Sequence, residues 1–528
     1  MRPRLLKRVI SVFAIILIGG LGSPHLSGFA EQAQRKERQH LDPRSLAGGI
    51  LLRFAQDPEP DSFGPFLDSD QEHVEVLQAR EQKRRSEFEA EHGVQLEHIT
   101  ETPRGDIYKL DVDAANVERT MSELEQDPRV AQASPNWLVR GGPNPTTTPP
   151  EDWSEAQGFR PSSVSATGSD GTIVAGFFDG GLKQSDFEGD LWTGIGPDGN
   201  PANGFTILNG VQSNTPEEDP AYVHGDATAG ILRLNFQRGN QMIGRDYQVQ
   251  FLMIRMLRPD SFGSSADLVA SAQLFLQYAR TDATIRVLNM SLIEFGYNPF
   301  LEEALTEFFF LGGVWVASAG NGLNSQGRNL TLSPRYPGGY ALRSPGAVVA
   351  ATERNGTPTV WSDYYNRTTT WAVGVGVNSG LGLFLSGTSA SAPQVAAGAA
   401  LRKVMGESAA TVLQAVAYSA HPRDDLAGRV IAGGGAYDLE NLITGTTWLG
   451  QLKQPVTLQV NKAKPGKVTG QISDPALRVF VIGYPNLNVE VQPDGFFARK
   501  NPGFTHTPAW FAVPDGFAAA FAKVKGFN

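Results

Sequence analysis

The chain has 528 residues, 41% of them hydrophobic and 19% charged, with a formal net charge of −10 and no cysteine. That length exceeds one ordinary core, so about two to four domains are expected. The lack of cysteine excludes disulfides, thiolate metal sites and cysteine nucleophiles, and the absence of a basic stripe with interleaved aromatics argues against nucleic acid as a partner.

Residues 1–30 open on the basic MRPRLLKR, continue through the apolar VISVFAIILIGGLG and end on Gly28-Phe29-Ala30, small-x-small. This order fits a secretory signal peptide cut near Ala30. The apolar core is about 14 residues where a span needs about 20, which disfavours the alternative of an uncleaved anchor. A secreted location, periplasmic or extracellular, is therefore expected, with no stable membrane span after signal cleavage.

Residues 31–47 are polar and charged, a loose leader. Over 48–140 the sequence reads strand (GGILLRF), charged helix, strand (VQLEHIT), strand (DIYKLDV), helix and strand (RVAQASPNWLVR). The alternation of Tyr108, Leu110 and Val112 marks the third strand, and Val117, Met121 and Leu124 at helical spacing mark the second helix, which stops at Pro128. The order is βαββαβ, a ferredoxin-like split-βαβ pattern. Residues 141–152, GGPNPTTTPPED, are too rich in proline and glycine for a helix or central strand, and form a linker.

From 153 to 446 apolar runs (TIVAGFF, VQFLMIRML, IRVLNMSL, GVWVASAG, GAVVAAT) alternate with helical stretches such as SADLVASAQLFLQYAR and NPFLEEALTEFFFLGG. Such alternation predicts an α/β domain with a parallel sheet covered on both faces, whose site lies beyond the carboxyl ends of the strands. Residues 447–528 hold short strands with Gly, Pro and Asp-Gly turns, a small all-β module that weakly resembles bacterial Ig-like domains.

The carboxyl-end rule directs attention to four residues. Asp179 follows TIVAGFF, Asn321 follows VWVASAG, His224 opens the helix start HGDATAGIL, and Ser389 lies in FLSGTSASAPQVAAGAAL. His224 is the only histidine between Pro150 and Ala420, so histidine-assisted chemistry in this domain has one base available. Acyl transfer needs this set. A serine hydroxyl attacks once an imidazole takes its proton, a carboxylate orients the imidazole, and an amide with a free helix-start N–H stabilises the oxyanion. Singly, each residue has a plainer reading: Asp179 and Asn321 as turn residues, His224 and Ser389 as residues lining or capping helix starts. Together, at strand and helix ends of one sheet, they favour a site.

These residues resemble the subtilisin family of serine endopeptidases, in which the triad has the chain order Asp, His, Ser. Gly387, Thr388, Ser389 and Pro393 are similar to the family's nucleophile motif, HGDATAG to its histidine motif, VASAGN to the strand carrying the oxyanion asparagine, and VLNMSL to the strand lining the substrate cleft. The resemblance covers about 290 residues of the chain. It implies Asp179, His224 and Ser389 as catalytic residues, Asn321 at the oxyanion hole, and Ser291, Leu292, Ser318, Ala319 and Gly320 as substrate-binding residues. It also implies that residues 48–140 are a propeptide that assists folding and inhibits the enzyme until cleaved, with the processing site in 141–152. The expected activity is that of a secreted endopeptidase made as a zymogen and acting on protein or peptide substrates, as a monomer. No cofactor is required; structural calcium, offered oxygen ligands by SDFEGD and PEEDP, has no locatable site.

Three departures from the family pattern stand out. Asp179-Gly180-Gly181 lacks the usual hydroxyl residue after the aspartate, which implies a more loosely oriented carboxylate. Asp226 and Ala227 replace the usual Thr and second His. Ile293 and Glu294 replace two cleft glycines that would let a substrate add as a β-strand, which implies a narrower or differently specific cleft. They sustain one alternative, a subtilisin-fold binding or structural protein with little or no turnover. Pro393, which lacks an N–H, is expected near the first helical turn, which puts the helix start close to Ser389.

Overall fold

The protein is described by a computed structural model covering residues 42–55, 70–102, 104–149, 170–216, 219–322, 326–430 and 434–445, and strands between 458 and 523. The signal-peptide segment, most of the leader and the linker beyond residue 149 lie outside the described residues. All described elements from Arg44 onward belong to one unit.

Strand β5 (Gly171–Asp179) shows how the sequence builds the central sheet. Ile173, Ala175 and Phe177 point to one apolar core, while Val174 and Phe178 point to another, and all are buried. A strand buried on both faces must be apolar at nearly every position, which is the pattern of TIVAGFF. The sheet also holds β6 (Phe205–Leu208), β7 (Val211–Ser213), β8 (Tyr247–Arg255), β10 (Ile285–Met290), β12 (Val314–Ser318), β13 (Ala347–Thr352) and β14 (Thr370–Val373), of which β10, β12 and β13 follow the same apolar pattern most fully. Their order in the sheet is β14-β13-β12-β10-β5-β8-β6-β7, parallel throughout except for the β6–β7 pair. The doubly covered parallel sheet expected of the sequence is thus present. The edge strands β7 and β14, and β6 beside β7, were not anticipated, because three or four residues carry no long apolar run.

Helices α3 (His224–Ile243), α6 (Thr388–Val404) and α7 (Ala409–Tyr418) cover one face, through Leu232, Phe236, Val395, Leu401 and Val412. Helices α4 (Ser265–Thr281) and α5 (Pro299–Phe310) cover the other, through Leu268, Phe275, Leu301 and Phe308. Each large side chain removed from water in this way contributes roughly 1.5–3 kcal/mol before entropy is counted. The helix starts are satisfied locally: Ser264 accepts from the Asp267 N–H, and Asn298 from the Phe300 and Leu301 N–H groups with Pro299 at the first position.

The N-terminal part runs β1 (Leu46–Phe54), α1 (Asp70–His92), β2 (Leu96–Thr100), β3 (Ile107–Leu110), α2 (Val117–Leu124) and β4 (Val130–Gly141). Its strands form an antiparallel sheet in the order β4-β1-β3-β2. The last residues of β4 extend beyond that sheet and pair on both edges with the central domain. Leu138–Arg140 face β9 (Phe262–Ser264), and Val139–Gly141 face β11 (Leu292–Glu294). A buried ion cluster also joins the two parts: Glu303 on α5 accepts from Arg53 Nη2 at 2.9 Å and from Arg104 Nη1 at 2.5 Å. Burial alone would raise the Glu303 carboxyl, but Arg104 and Arg53 outweigh it and hold the group below its usual range. Toward the C-terminus the described strands form two small antiparallel sheets. One joins Leu458–Lys464, Lys467–Ile472 and Phe496–Lys500; the other joins Asn488–Val489, Val479–Val481, Trp510–Val513 and Ala520–Lys523.

Candidate active site

Asp179 is the last residue of β5, and His224 the first of α3. The topology brings their side chains together in the interior: His224 Nδ1 lies 2.7 Å from Asp179 Oδ1, with both side chains at most 1% exposed. The carboxylate is held by two further donors. Oδ1 also accepts from the Gly180 N–H at 2.7 Å, and Oδ2 accepts from Thr228 Oγ1 at 3.2 Å. The looser carboxylate inferred from Asp-Gly-Gly is therefore not what the structure has. The hydroxyl missing at 180 is supplied by Thr228, one helical turn beyond His224 and on the same face of α3. That i, i+4 spacing was the signal available in the sequence.

Ser389 is the second residue of α6. The chain enters the helix through Gly387 at φ 138°, a conformation that L side chains rarely adopt. The N–H groups of a first helical turn have no partner within the helix, so the Ser389 N–H is available beside its own hydroxyl. Asn321 lies next to it, and its Oδ1 accepts from both the Thr388 N–H (3.0 Å) and Thr388 Oγ1 (3.1 Å). Those two bonds orient the amide so that its nitrogen is the donor left for a ligand in the cleft.

The other hydroxyls of the segment serve structure. Ser386 Oγ accepts from the Gly376 N–H, Thr388 Oγ1 accepts from the Gly320 N–H, and Ser391 Oγ donates to the Ala372 carbonyl. The helix starts at Thr388, close to Ser389 as expected, and Pro393 lies just past the first turn as the sixth residue of α6. Lacking an N–H, it cannot bond the carbonyl of Ser389, and that carbonyl accepts instead from Ser291 Oγ at 3.1 Å. In the reverse direction Ser389 Oγ donates to the Ser291 carbonyl at 3.2 Å.

Of the residues expected to bind substrate, Ser291, Leu292, Ser318 and Gly320 line the cleft beside Ser389 and Asn321. Ala319 does not: it is fully buried against Leu330 and Val348 behind the loop. The expectation that Ile293 and Glu294 obstruct strand addition is also corrected, because β11 pairs with β4 across Leu292–Gly141, Ile293–Arg140 and Glu294–Val139. Backbone groups make that ladder, and Glu294 turns its carboxylate away from it into the interior. There it accepts from Asn298 Nδ2 at 3.1 Å and from the hydroxyls of Ser265 and Tyr340. Burial pushes the Glu294 carboxyl up to about 7, against these hydrogen bonds, which favour its charged form. Ser265 Oγ in turn accepts from the Trp137 N–H of β4 at 3.0 Å.

The segment that fills the cleft is the chain's own. Gly142 follows β4 directly and lies against both reactive side chains: a Cβ placed on it would overlap Ser389 Oγ and lie 2.5 Å from His224 Nε2. Accordingly His224 Nε2 has no hydrogen-bond partner among the described residues, and the serine hydroxyl turns to Ser291. The Gly142 carbonyl accepts from the Tyr222 hydroxyl at 3.0 Å, not from Asn321. The chain continues past the site, where Asn144 bonds the backbone of Ala221 and Val223, and Thr146 exchanges backbone hydrogen bonds with Phe384. Tyr222 and Thr228 are residues of this site that sequence reasoning did not single out.

Among the described residues no group of three or more His, Asp or Glu side chains could hold a metal ion. SDFEGD is described; Glu217 and Glu218 of PEEDP lie outside the described residues. No described helix is long and apolar enough to cross a membrane.

Comparison with known proteins bears on this geometry. The model of the Subtilase family matches residues 203–425, a span that includes His224, Asn321 and Ser389 and begins after Asp179. A thermophilic serine proteinase from Bacillus sp. (strain AK1) is 26% identical over 318 residues, covering 58% of this chain and 71% of the relative. Thermitase from Thermoactinomyces vulgaris is 28% identical over 241 residues, covering 42% of this chain and 81% of the relative. Among solved structures, fervidolysin from Fervidobacterium pennivorans, described as a keratinolytic enzyme related to subtilisin, superposes with a TM-score of 0.54 at 14% identity, covering 89% of this chain and 71% of that one. The last likeness is one of fold; the family match over residues 203–425 and the two relatives support a subtilisin-like serine peptidase.

Proposed function

We propose that the protein is a secreted serine endopeptidase, made as a zymogen, that hydrolyses peptide bonds through an acyl-enzyme on Ser389. The observation that carries the reading is the buried His224–Asp179 pair, 2.7 Å apart, with Gly142 seated against both His224 Nε2 and Ser389 Oγ. Ser389 Oγ attacks the substrate carbonyl while His224 Nε2 takes its proton. Asp179 accepts the Nδ1–H, fixes the tautomer and stabilises the imidazolium. The Asn321 amide and the Ser389 N–H stabilise the oxyanion. His224 then gives the proton to the leaving amine, and water repeats the sequence on the ester to release the acid.

In this reading residues 48–140 are the propeptide, and the segment through the cleft is the inhibited state. Three features support that. Gly142 separates base from nucleophile, its carbonyl is turned to Tyr222 and away from Asn321, and its next bond is to Pro143, a tertiary amide. Residues 1–30 are its signal peptide.

Expression of residues 31–528 as wild type and as Ser389→Ala tests this reading. The wild type is expected to cut itself between Arg140 and Trp153 and to hydrolyse casein, and the variant to do neither. A serine-directed phosphonate is expected to label Ser389. Full-length wild type that leaves casein intact, or label on Ser391, would overturn the reading.

A further inference from the structure

Gly141 is held in register from both sides: its N–H donates to the Ser261 carbonyl at 2.8 Å, and it pairs with Leu292 of β11. Its backbone lies in a region that any L residue adopts, since φ is not positive. What excludes a side chain is the surroundings. A Cβ on Gly141 would overlap the Tyr222 hydroxyl and lie 2.7 Å from Leu257 Cδ1.

Tyr222 has no ready retreat. With the chain's own segment in the cleft the residue is 2% exposed, and its ring lies parallel to the imidazole of His224, with centroids 5.5 Å apart. Its other neighbour is Gly180, where a Cβ would lie 2.6 Å from Tyr222 Cδ1. Gly180 is the departure from the family's Asp-Ser/Thr-Gly pattern noted in the sequence. The two positions belong together: the side chain absent at 180 is the space the tyrosine ring uses.

We infer that Tyr222, backed by Gly180 and Leu257, closes the subsite for the second residue before the scissile bond, so that this peptidase takes substrates with glycine there. The inference rests on the peptidase reading above and names the substrate class of that site. With Gly142, the residue seated against Ser389 and His224, taken as the residue before the scissile bond and its carbonyl turned to Asn321 in a productive complex, a strand in the register of β4 presents its second residue where Gly141 lies. Any larger residue must displace a ring that is packed on the base itself. Selectivity therefore arises from steric exclusion by a rigid aromatic, not from a contact that a larger side chain could satisfy elsewhere.

Two measurements on the full chain decide it. In a Ser389→Ala background, where no self-cleavage intervenes, Gly141→Ala is expected to speed amide exchange across residues 138–142 by about tenfold, the equivalent of about 1.4 kcal/mol. Adding Tyr222→Gly is expected to bring the rate back to within about threefold of the parent. Exchange unchanged by Gly141→Ala, or not slowed again by the second substitution, overturns the closed subsite. On wild-type protein, peptides differing only at the second residue before the cut are expected to show kcat/KM about 100-fold higher for glycine than for leucine, and Tyr222→Gly to narrow that ratio to about threefold. Equal rates for glycine and leucine overturn the inference. A wild type that cuts no peptide defeats the peptidase reading, and the exchange measurement then still judges the subsite.

Discussion

The two walls of the cleft obey different rules. On the nucleophile wall, the start of α6 and Asn321, most residues are small and the polar side chains of Thr388, Ser391 and Asn321 have identifiable partners. On the opposite wall, Ser291 to Glu294, large residues stand where small ones were expected, and the wall performs the same pairing with β4 regardless. A helix start presents its chemistry through particular side chains, so residue type reveals role. A cleft strand presents its backbone, and its side chains alternate away from the ligand, so residue type reveals little about access. The difference also predicts where substitutions register: in rate on the first wall, in stability on the second.

The sharpest contrast is expected from Asn321→Ala. It should lower kcat by about 10²–10³-fold, the loss typical of removing one oxyanion donor in this family, while stability falls by no more than about 1–2 kcal/mol from the lost bonds to Thr388. Steady-state kinetics beside denaturant unfolding would show it; a large stability loss with unchanged kcat would erase the distinction between the walls.

Next in size, Glu294→Gln should act on stability with a defined pH dependence. Below about pH 4.5 both folded and unfolded wild type hold the proton, and the carboxyl contributes no difference. As pH rises from there toward 7, the unfolded chain ionises while the buried group, with its carboxyl raised to about 7, resists. Wild type therefore loses stability relative to the glutamine variant, by roughly 3 kcal/mol at and above neutrality. Unfolding midpoints measured from pH 4 to 8 should diverge as pH rises; a constant gap would mean that the carboxyl ionises freely in the fold.

The smallest effect expected is that of Thr228→Val, which removes one hydroxyl from Asp179 without touching a reacting atom. A loss of about 1 kcal/mol of orientation corresponds to about a fivefold fall in kcat, read by steady-state kinetics at constant KM. An unaltered kcat would reduce Thr228 to packing.

What was legible in the sequence follows the same division. Asp179, His224, Asn321 and Ser389 stood out because chemistry restricts which residue types serve, and a single histidine in the domain left one choice. The parallel sheet was legible because burial on both faces forces apolar runs such as TIVAGFF. Tyr222 was not, since its meaning depends on Gly180, Gly141 and His224 meeting in space, and no local period records such a meeting. Glu294 was misread for a related reason: a charge in a strand says nothing of the face it takes until its partners Ser265 and Asn298 are in place. The two-edged insertion of β4 was beyond reach because extended segments look alike whether they gain one neighbour or two.

Pro393 makes two distant positions answerable to each other. Any other residue at 393 brings an N–H that competes for the Ser389 carbonyl, and the Ser291 hydroxyl then loses its acceptor. A residue without a hydroxyl at 291 leaves that carbonyl unpaired in a buried place. Change at either position is tolerated only when the other changes with it. The surroundings of Ser389 are thus constrained by an imino acid one helical turn away.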